Sequence, residues 1–320
     1  MAAIETFRLA KSYKVGFWRK HEREALSPLT LAVQEGEVFG YLGPNGAGKT
    51  TTLKLLMGLI YLTSGSATIL GCPLDDPKMK AQVGFLPEQP YFYDYLSARE
   101  LLTYLATLSG APAGERQRRV EEVLHRVGLY EHADVQLRKF SKGMLQRVGI
   151  AQAIVHDPKL IFLDEPMSGL DPIGRREVRD LIQSLKDDGK TIFFSTHILS
   201  DAETLCDRVA VLNHGQLRGI GVVADLVREV SGRIEVVWEG VAAMDALVEL
   251  GAETHSSGAI FRAMLPERSL ERAVDVIRQS GCRLISLTPV RATLEDFFLE
   301  RLQHEEVDTD SRVASGEGAS

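Results

Sequence analysis

The segment at residues 43–50, GPNGAGKT, constrains the fold of this chain more than any other feature. It fits the pattern G-x-x-x-x-G-K-[ST], whose glycines let the backbone turn tightly so that several N–H groups converge on phosphate oxygens. An apolar run at residues 37–42 precedes it, and a helix-forming run at residues 52–56 follows it. A strand, a loop and a helix in this order predict a nucleotide-phosphate site on an α/β fold, in preference to a glycine-rich turn.

The residues of this loop have separate expected roles. Lys49 is expected to reach the β- and γ-phosphates, and the Thr50 hydroxyl is expected to ligate Mg²⁺. Further contacts to the nucleotide are expected from Gly43, Pro44, Asn45, Gly46, Ala47, Gly48 and Thr51.

A second segment, LIFLDEP at residues 160–166, is an apolar run that ends in two acids. A strand of this kind would bring its carboxyl end beside the phosphate loop. There Asp164 is expected to hold Mg²⁺, and Glu165 is placed to activate a water for in-line attack on the γ-phosphate. The competing interpretation is a strand followed by a solvated acidic turn.

Composition restricts the class of protein. The length of 320 residues is enough for two domains, and the net charge of −7 argues against sequence-independent binding of nucleic acid. No apolar run approaches the ~18–20 residues that cross a bilayer, and the first residues do not read as a signal peptide. The widely spaced Cys72, Cys206 and Cys282 fit reduced thiols. We therefore expect a cytoplasmic chain that reaches a membrane only through a partner.

The pattern along the chain predicts its organisation. Apolar runs at 83–86, 160–163 and 191–194 are typical of strands buried on both faces, so residues 1–220 are expected to form an α/β domain with a mainly parallel sheet. Helical periodicity predicts a helical subdomain at about residues 97–155 within it.

The sequence pattern changes after residue 220. Residues 221–302 alternate between strand and helix patterns, which predicts a small α+β domain. Residues 303–320 are acidic and nearly free of large apolar groups, so we expect a disordered tail.

Three further segments complete a set. Residues 140–147, FSKGMLQR, resemble the signature motif of ABC-type ATPases, residues 168–171, SGLD, resemble their D-loop, and residues 195–197, STH, resemble their switch histidine. With the two segments above, the resemblance covers roughly residues 4–220. It implies a P-loop NTPase of the ABC cassette type, with ATP and Mg²⁺ as cofactors, that serves as the ATP-binding subunit of an ABC transporter.

The resemblance also implies residue roles. Two such domains close head-to-tail, so Ser141 and the Gly143 backbone would donate to the γ-phosphate of the ATP held by the partner. His197 would contact the γ-phosphate in cis, and Asp171 would carry information between the two sites. Tyr13 occupies the place of the aromatic that stacks on adenine, although packing alone is the other interpretation.

Two positions depart from the family pattern. Lys142 replaces a glycine of the signature motif, where it adds charge near the partner's phosphate or is simply an exposed lysine. Glu88 stands where the Q-loop has its glutamine, with Gln89 beside it. Either residue is a candidate for sensing Mg²⁺ and the attacking water, and the Glu88 carboxylate is also a candidate Mg²⁺ ligand.

Two surface segments have open interpretations. The aromatics within residues 91–95, YFYDY, either bury into the helical subdomain or form a docking groove for a helix of a membrane partner. The aromatic and basic residues at 15–23 are expected to lie in a hairpin loop that either contacts lipid headgroups or is solvated.

The expected function is an ATPase that powers a separate integral membrane permease from the cytoplasmic face of the membrane. It would act as a homodimer and, by resemblance, in export, with no nucleic acid as partner. A soluble ABC ATPase that remodels ribosome or DNA complexes is the alternative. A nucleotide-gated regulator without turnover is a third possibility, and the set of Asp164, Glu165 and His197 argues against it because a sensor needs no catalytic base.

Overall fold

The computed structural model describes residues 1–15, 21–229, 232–290 and 292–298. The chain divides into two compact units, Met1–Val222 and Val223–Ser320. Residues 16–20, within the aromatic and basic loop, and the expected acidic tail, residues 303–320, lie outside the described residues. Among the helices of the described ranges, none combines the length and apolarity needed to cross a membrane.

The first unit is built from strands and helices that alternate after an initial hairpin. The strands are β1 (Ala2–Val15), β2 (His21–Gln34), β3 (Val38–Leu42), β4 (Ser64–Ile69), β5 (Cys72–Pro73), β6 (Val83–Leu86), β7 (Leu160–Asp164), β8 (Thr191–Thr196), β9 (Arg208–Asn213) and β10 (Gln216–Val222). The helices are α1 (Lys49–Leu56), α2 (Pro77–Lys80), α3 (Ala98–Leu108), α4 (Ala113–Arg126), α5 (Lys142–Ile154), α6 (Pro172–Asp187) and α7 (Leu199–Leu205).

The larger sheet has the strand order β10-β9-β3-β8-β7-β6. Its inner pairs are parallel, and β10 is antiparallel at one edge. Every residue of β3, β7 and β8 is buried, as continuous apolar runs predict for strands covered on both faces. The predicted α/β sheet is confirmed, and it brings the carboxyl ends of β3, β7 and β8 to one edge.

An aromatic layer lies on one face of this sheet. The ring of Phe193 lies 5.6 Å from that of Phe39, 5.2 Å from that of Tyr41 and 5.5 Å from that of Phe162. Leu53 and Leu56 of α1 belong to the same buried cluster. This layer keeps water away from the side chains at the strand ends.

A second sheet, of order β2-β1-β4-β5, is antiparallel. The pairing of β1 with β2 runs from Ala2 opposite Gln34 to Val15 opposite His21, with several register shifts. The sequence predicts a hairpin loop at residues 15–23 but not the two long strands on either side of it. It places Tyr13 and Arg23 opposite each other, next to the phosphate loop.

The predicted helical subdomain contains α3, α4 and α5. The Ser97 hydroxyl accepts a hydrogen bond from the Glu100 N–H (3.2 Å), and the Ser97 N–H donates to Glu100 Oε2 (2.8 Å). This capping box at the start of α3 agrees with the sequence pattern.

The second unit contains α8 (Val223–Glu229), β11 (Arg233–Glu239), α9 (Met244–Glu249), β12 (Glu253–Ser257), β13 (Ile260–Pro266), α10 (Leu270–Gln279) and β14 (Arg283–Pro289), with residues 294–298 also helical. From β11 onward the order β-α-β-β-α-β with sheet order β12-β13-β11-β14 is the split βαβ arrangement. Trp238 stacks on Phe261 at 5.7 Å in its core. The strand β12 is an addition to the elements that the sequence pattern predicts.

Candidate functional site

The phosphate loop connects β3 to α1, as the sequence predicts. Gly48, the residue before α1, has φ +103°, and a Cβ there would lie 2.6 Å from the Ala25 carbonyl oxygen. Only glycine fits both the left-handed backbone and this close approach. No side chain caps α1 in the described structure, so its first N–H groups are available to an anion.

An open cleft of about 1060 Å³ lies over this loop. The residues with expected nucleotide contacts that line it are Tyr13, Pro44, Asn45, Gly46, Gly48, Lys49, Thr50, Thr51, Glu88 and Glu165. Further lining residues are Lys14, Arg23, Glu24, Ala25, His214 and Gly215, none of which was a predicted nucleotide contact. Lys14 is adjacent to the predicted adenine-stacking Tyr13, and Arg23 comes to the cleft through its pairing with Tyr13 in β1 and β2.

Lys49 is almost buried, with 6% of its side chain exposed. Its Nζ donates to the carbonyl oxygens of Gly43 (2.7 Å) and Pro44 (3.3 Å), and it lies 3.2 Å from Glu165 Oε1. Phosphate oxygens could replace these acceptors, since they offer a cation the same contacts with more negative charge.

A buried hydroxyl pair supports the far end of the loop. The Tyr41 hydroxyl is 3.0 Å from Thr52 Oγ1, and Thr52 Oγ1 donates to the Gly48 carbonyl oxygen at 3.1 Å. Burial raises the pKa of Tyr41 well above its ordinary value, so this hydroxyl stays neutral. The pair links the start of α1 to β3.

Glu165 follows β7 and has φ +51°, an uncommon left-handed conformation for a residue other than glycine. Its N–H donates to the Ser195 carbonyl oxygen (3.1 Å) and to Ser195 Oγ (3.2 Å). Its carboxylate Oε2 lies 2.8 Å from His197 Nδ1. The structure thus brings together Lys49, Glu165 and His197, the three residues with proposed catalytic roles.

Asp164 is 1% exposed and pairs with Ser195 across β7 and β8. In the described residues no group of three or more His, Cys, Asp or Glu could hold a metal alone. Mg²⁺ at phosphate sites is held by one or two carboxylates plus the phosphates themselves. The expected donors Thr50, Asp164 and Glu88 therefore fit an ion that arrives with a nucleotide, since the protein part of the set is small.

Two uncertain positions lie on the cleft wall. Tyr13 lines the cleft and is 39% exposed, with Lys11 Nζ 4.9 Å from its ring centre. Glu88 and Gln89 are both exposed, but only Glu88 is among the described residues that line the cleft. The positions of Tyr13 and Glu88 support proposed contacts with adenine and with the metal or water.

The signature segment lies elsewhere in the same unit. The Ser141 hydroxyl caps α5 and accepts from the Met144 N–H (3.2 Å), while the Asp171 carboxylate caps α6 and accepts from the Gly174 N–H (2.7 Å). Ser141, Gly143 and Asp171 are all missing from the described residues that line the cleft. The described lining of the cleft over the phosphate loop therefore does not include the signature motif.

Lys142 is exposed, yet the end of its side chain has a neighbour in its own chain. Its Nζ lies against Gly169 of the D-loop, where an added Cβ would be only 2.0 Å away, and Gly169 has φ +67°. The lysine that departs from the family pattern is therefore in contact with the D-loop of its own chain.

The aromatic residues at 91–95 differ in burial, so each of the two interpretations applies to some of them. Tyr91, Tyr93 and Tyr95 are 94%, 52% and 60% exposed. Phe92 is partly buried, and its ring would lie 3.7 Å from a Cβ on Gly149 of α5. Burial into the helical subdomain thus describes Phe92, and the three tyrosines form an exposed aromatic patch.

Comparisons with known proteins agree with this arrangement. The family model for "ABC transporter" matches residues 26–168. An ABC transporter ATP-binding protein of Synechocystis sp. is 46% identical over 96% of this chain and 86% of its own length. The chain belongs to the ATP-binding proteins of ABC transporters. The predicted ABC cassette fold is confirmed, and the chain is an ATPase.

Two further comparisons concern function. The fluoroquinolones export ATP-binding protein of Mycobacterium tuberculosis is 36% identical over 88% of this chain and 88% of its own length. A dimeric ATP-binding cassette in a post-hydrolysis state, with ADP and phosphate bound, has a TM-score of 0.62 and 27% identity over 68% of this chain and 98% of its own.

Proposed function

We propose that this ABC ATPase powers a separate integral membrane permease, and that the transport is export. The similarity to a protein named for fluoroquinolone export supports the direction. The lack of a membrane-crossing helix in the described residues supports a permease on another chain. The ATPase would lie peripherally on the cytoplasmic face of the cell membrane.

The proposal rests on which of the expected ATP contacts line the cleft of one chain. The cleft contains the phosphate loop and Glu165, but among the described residues Ser141 and Gly143 do not line it. A second copy in head-to-tail orientation would supply these groups to the γ-phosphate from the start of α5. A homodimer therefore completes two ATP sites, and the dimeric neighbour supports this arrangement.

Binding of ATP would rearrange the charges of the cleft. The β- and γ-phosphates would replace the acceptors that now surround Lys49, which frees Glu165 Oε1 to face the attacking water. Glu165 would accept the proton of this water, while His197 holds its Oε2 and contacts the γ-phosphate. Mg²⁺ held by Thr50 and Asp164 would offset the negative charge of the phosphates.

The exposed aromatic patch, Tyr91, Tyr93 and Tyr95, is the proposed docking site for a cytoplasmic helix of the permease. Aromatic side chains are favoured as interface anchors, because they bury a large area with few rotamers to fix. The patch follows directly after Glu88, so a movement of the docked helix would be transmitted to the cleft.

The test is affinity purification of the full chain from detergent-solubilised native membranes, followed by identification of co-purifying proteins. We expect one polytopic membrane protein in near-equal amount, and its loss when Tyr91, Tyr93 and Tyr95 are all changed to Ala. The matched control changes the exposed Val241 and Val248 to Ala and should retain the partner. Recovery of ribosomal or DNA-bound proteins from the soluble fraction, without a membrane partner, would favour the remodelling ATPase instead.

A further inference from the structure

Ser195 lies between the two acids of the site. It is fully buried, and in the sheet it stands opposite Asp164 of β7 on one side and Tyr41 of β3 on the other. Residues paired in adjacent strands point to the same face. Ser195 and Asp164 therefore share the face that carries the aromatic layer, at the end of the strands where the cleft begins.

The Ser195 hydroxyl contacts both acids at once. Its proton is donated to Asp164 Oδ1 at 2.5 Å, since a carboxylate can only accept. Its lone pair accepts the N–H of Glu165 at 3.2 Å. One side chain therefore fixes the orientation of the Asp164 carboxylate and the backbone of Glu165.

The environment leaves this hydroxyl few alternatives. Phe193, two residues earlier on β8, is fully buried in the aromatic layer and contacts Phe39 and Phe162. Water is excluded there, so a polar group gains more from its partners and loses more when they are removed. The left-handed φ of Glu165 also has a cost, which its two hydrogen bonds to Ser195 offset.

We propose that Ser195 is a positioning residue for ATP hydrolysis. By occupying Oδ1 of Asp164 it leaves the second oxygen for Mg²⁺, and by holding the Glu165 backbone it aims that carboxylate between Lys49 and His197. The inference rests on the proposed roles of Asp164 and Glu165. Partners that orient a metal ligand typically affect metal affinity or activity by about 10–100-fold when they are removed.

The first test is Ser195→Ala, which removes only the hydroxyl. A fluorescent ATP analogue is titrated with Mg²⁺, and the Mg²⁺ concentration at half-maximal response is compared with the affinity for the analogue in EDTA. We expect the Mg²⁺ midpoint to rise about 10-fold while the metal-free affinity stays within about twofold. An unchanged midpoint together with a lower unfolding temperature would show a purely structural role and overturn the inference.

The matched control is Thr191→Val. Thr191 is also buried on β8, and its hydroxyl accepts from the Gly36 N–H at 2.9 Å, at the end of the strand away from the acids. This variant should lower the unfolding temperature without moving the Mg²⁺ midpoint. An equal shift of the midpoint in both variants would attribute the effect to general loosening of the sheet and reject the role of Ser195.

Asp164→Asn distinguishes failure of the positioning role of Ser195 from failure of the metal role of Asp164. If Asp164→Asn shifts the Mg²⁺ midpoint and Ser195→Ala does not, only the positioning role of Ser195 fails. If Asp164→Asn has no effect either, the proposed metal role of Asp164 fails as well.

Where Ser195→Ala does not fold, Ser195→Cys keeps a weak donor of similar shape, and its Mg²⁺ midpoint should also rise, though less. Ser195→Thr retains the hydroxyl and should keep the wild-type midpoint, and a shift there equal to that of Ser195→Cys would contradict the proposal.

Discussion

Glu165 is the residue at which the charges of the cleft meet. Lys49 lies 3.2 Å from one of its oxygens and His197 lies 2.8 Å from the other. In the proposed mechanism the phosphates of ATP would draw Lys49 away from Glu165, which could then accept a proton from water. Release of the base and recognition of the γ-phosphate would thus be a single event, which limits hydrolysis to the bound substrate.

Glu88 stands where the family's Q-loop has its glutamine, and this departure gives a prediction about a single residue. Glu88→Ala should lower ATP hydrolysis by about 10-fold, because a cleft-lining carboxylate with a proposed role toward Mg²⁺ or water is lost. Glu88→Gln restores the amide of the family pattern and should retain more activity than the alanine variant. Hydrolysis would be measured with the permease present.

Gln89→Ala is the control for this series, since Gln89 is exposed, like Glu88, but lies outside the described cleft lining. It should hydrolyse ATP at the wild-type rate. A larger loss in Gln89→Ala than in Glu88→Ala would reverse the assignment of the sensing residue.

At the scale of elements, a buried acid connects the helix after the D-loop to the helix after the switch histidine. Asp201 of α7 is 1% exposed and lies 3.4 Å from Arg175 and 3.2 Å from Arg179, both on α6. This link joins the segment that contains Asp171 to the segment that follows His197. Movement at the γ-phosphate would therefore reach the D-loop through two packed helices.

Asp201→Ala should reduce the free energy of unfolding by about 2 kcal/mol, because two arginines lose a buried partner while keeping partial access to water. The measurement is urea denaturation followed by circular dichroism. Asp180→Ala removes the exposed pair with Arg176 on the same helix and should change the stability by less than about 0.5 kcal/mol. Equal effects of the two variants would show that the α6–α7 link contributes no more than a surface ion pair.

The elements also show what the sequence could predict. The continuous apolar runs of β3, β7 and β8 and the capping box of α3 are local signals, and the structure contains each of them. β1 and β2 lack such runs because they mix buried and exposed residues, and β1 pairs through register shifts. β12 has no buried residue among those described, so it also lacks an apolar run. The roles of Ser195 and the contact of Lys142 with Gly169 depend on residues about thirty positions apart, so only the folded chain reveals them.

At the scale of the whole molecule, the two compact units differ in what they contain. The first contains the cleft, the signature motif and the D-loop, and every residue with a proposed catalytic or binding role belongs to it. The second has a split βαβ core around Trp238. ATP turnover therefore belongs to the first unit, and in the proposed dimer a second copy of that unit completes each site.

The most direct test of this account is the mass of Glu165→Gln in solution, measured by light scattering with ATP and Mg²⁺. Loss of the base should reduce hydrolysis by about 10²–10⁴-fold and trap a dimer with two ATP molecules, whereas the same variant with ADP stays monomeric. Adding Ser141→Ala should weaken this dimer, since the signature hydroxyl then no longer reaches the partner's γ-phosphate. A Glu165→Gln variant that hydrolyses ATP at the wild-type rate, or that stays monomeric with ATP, would contradict the account.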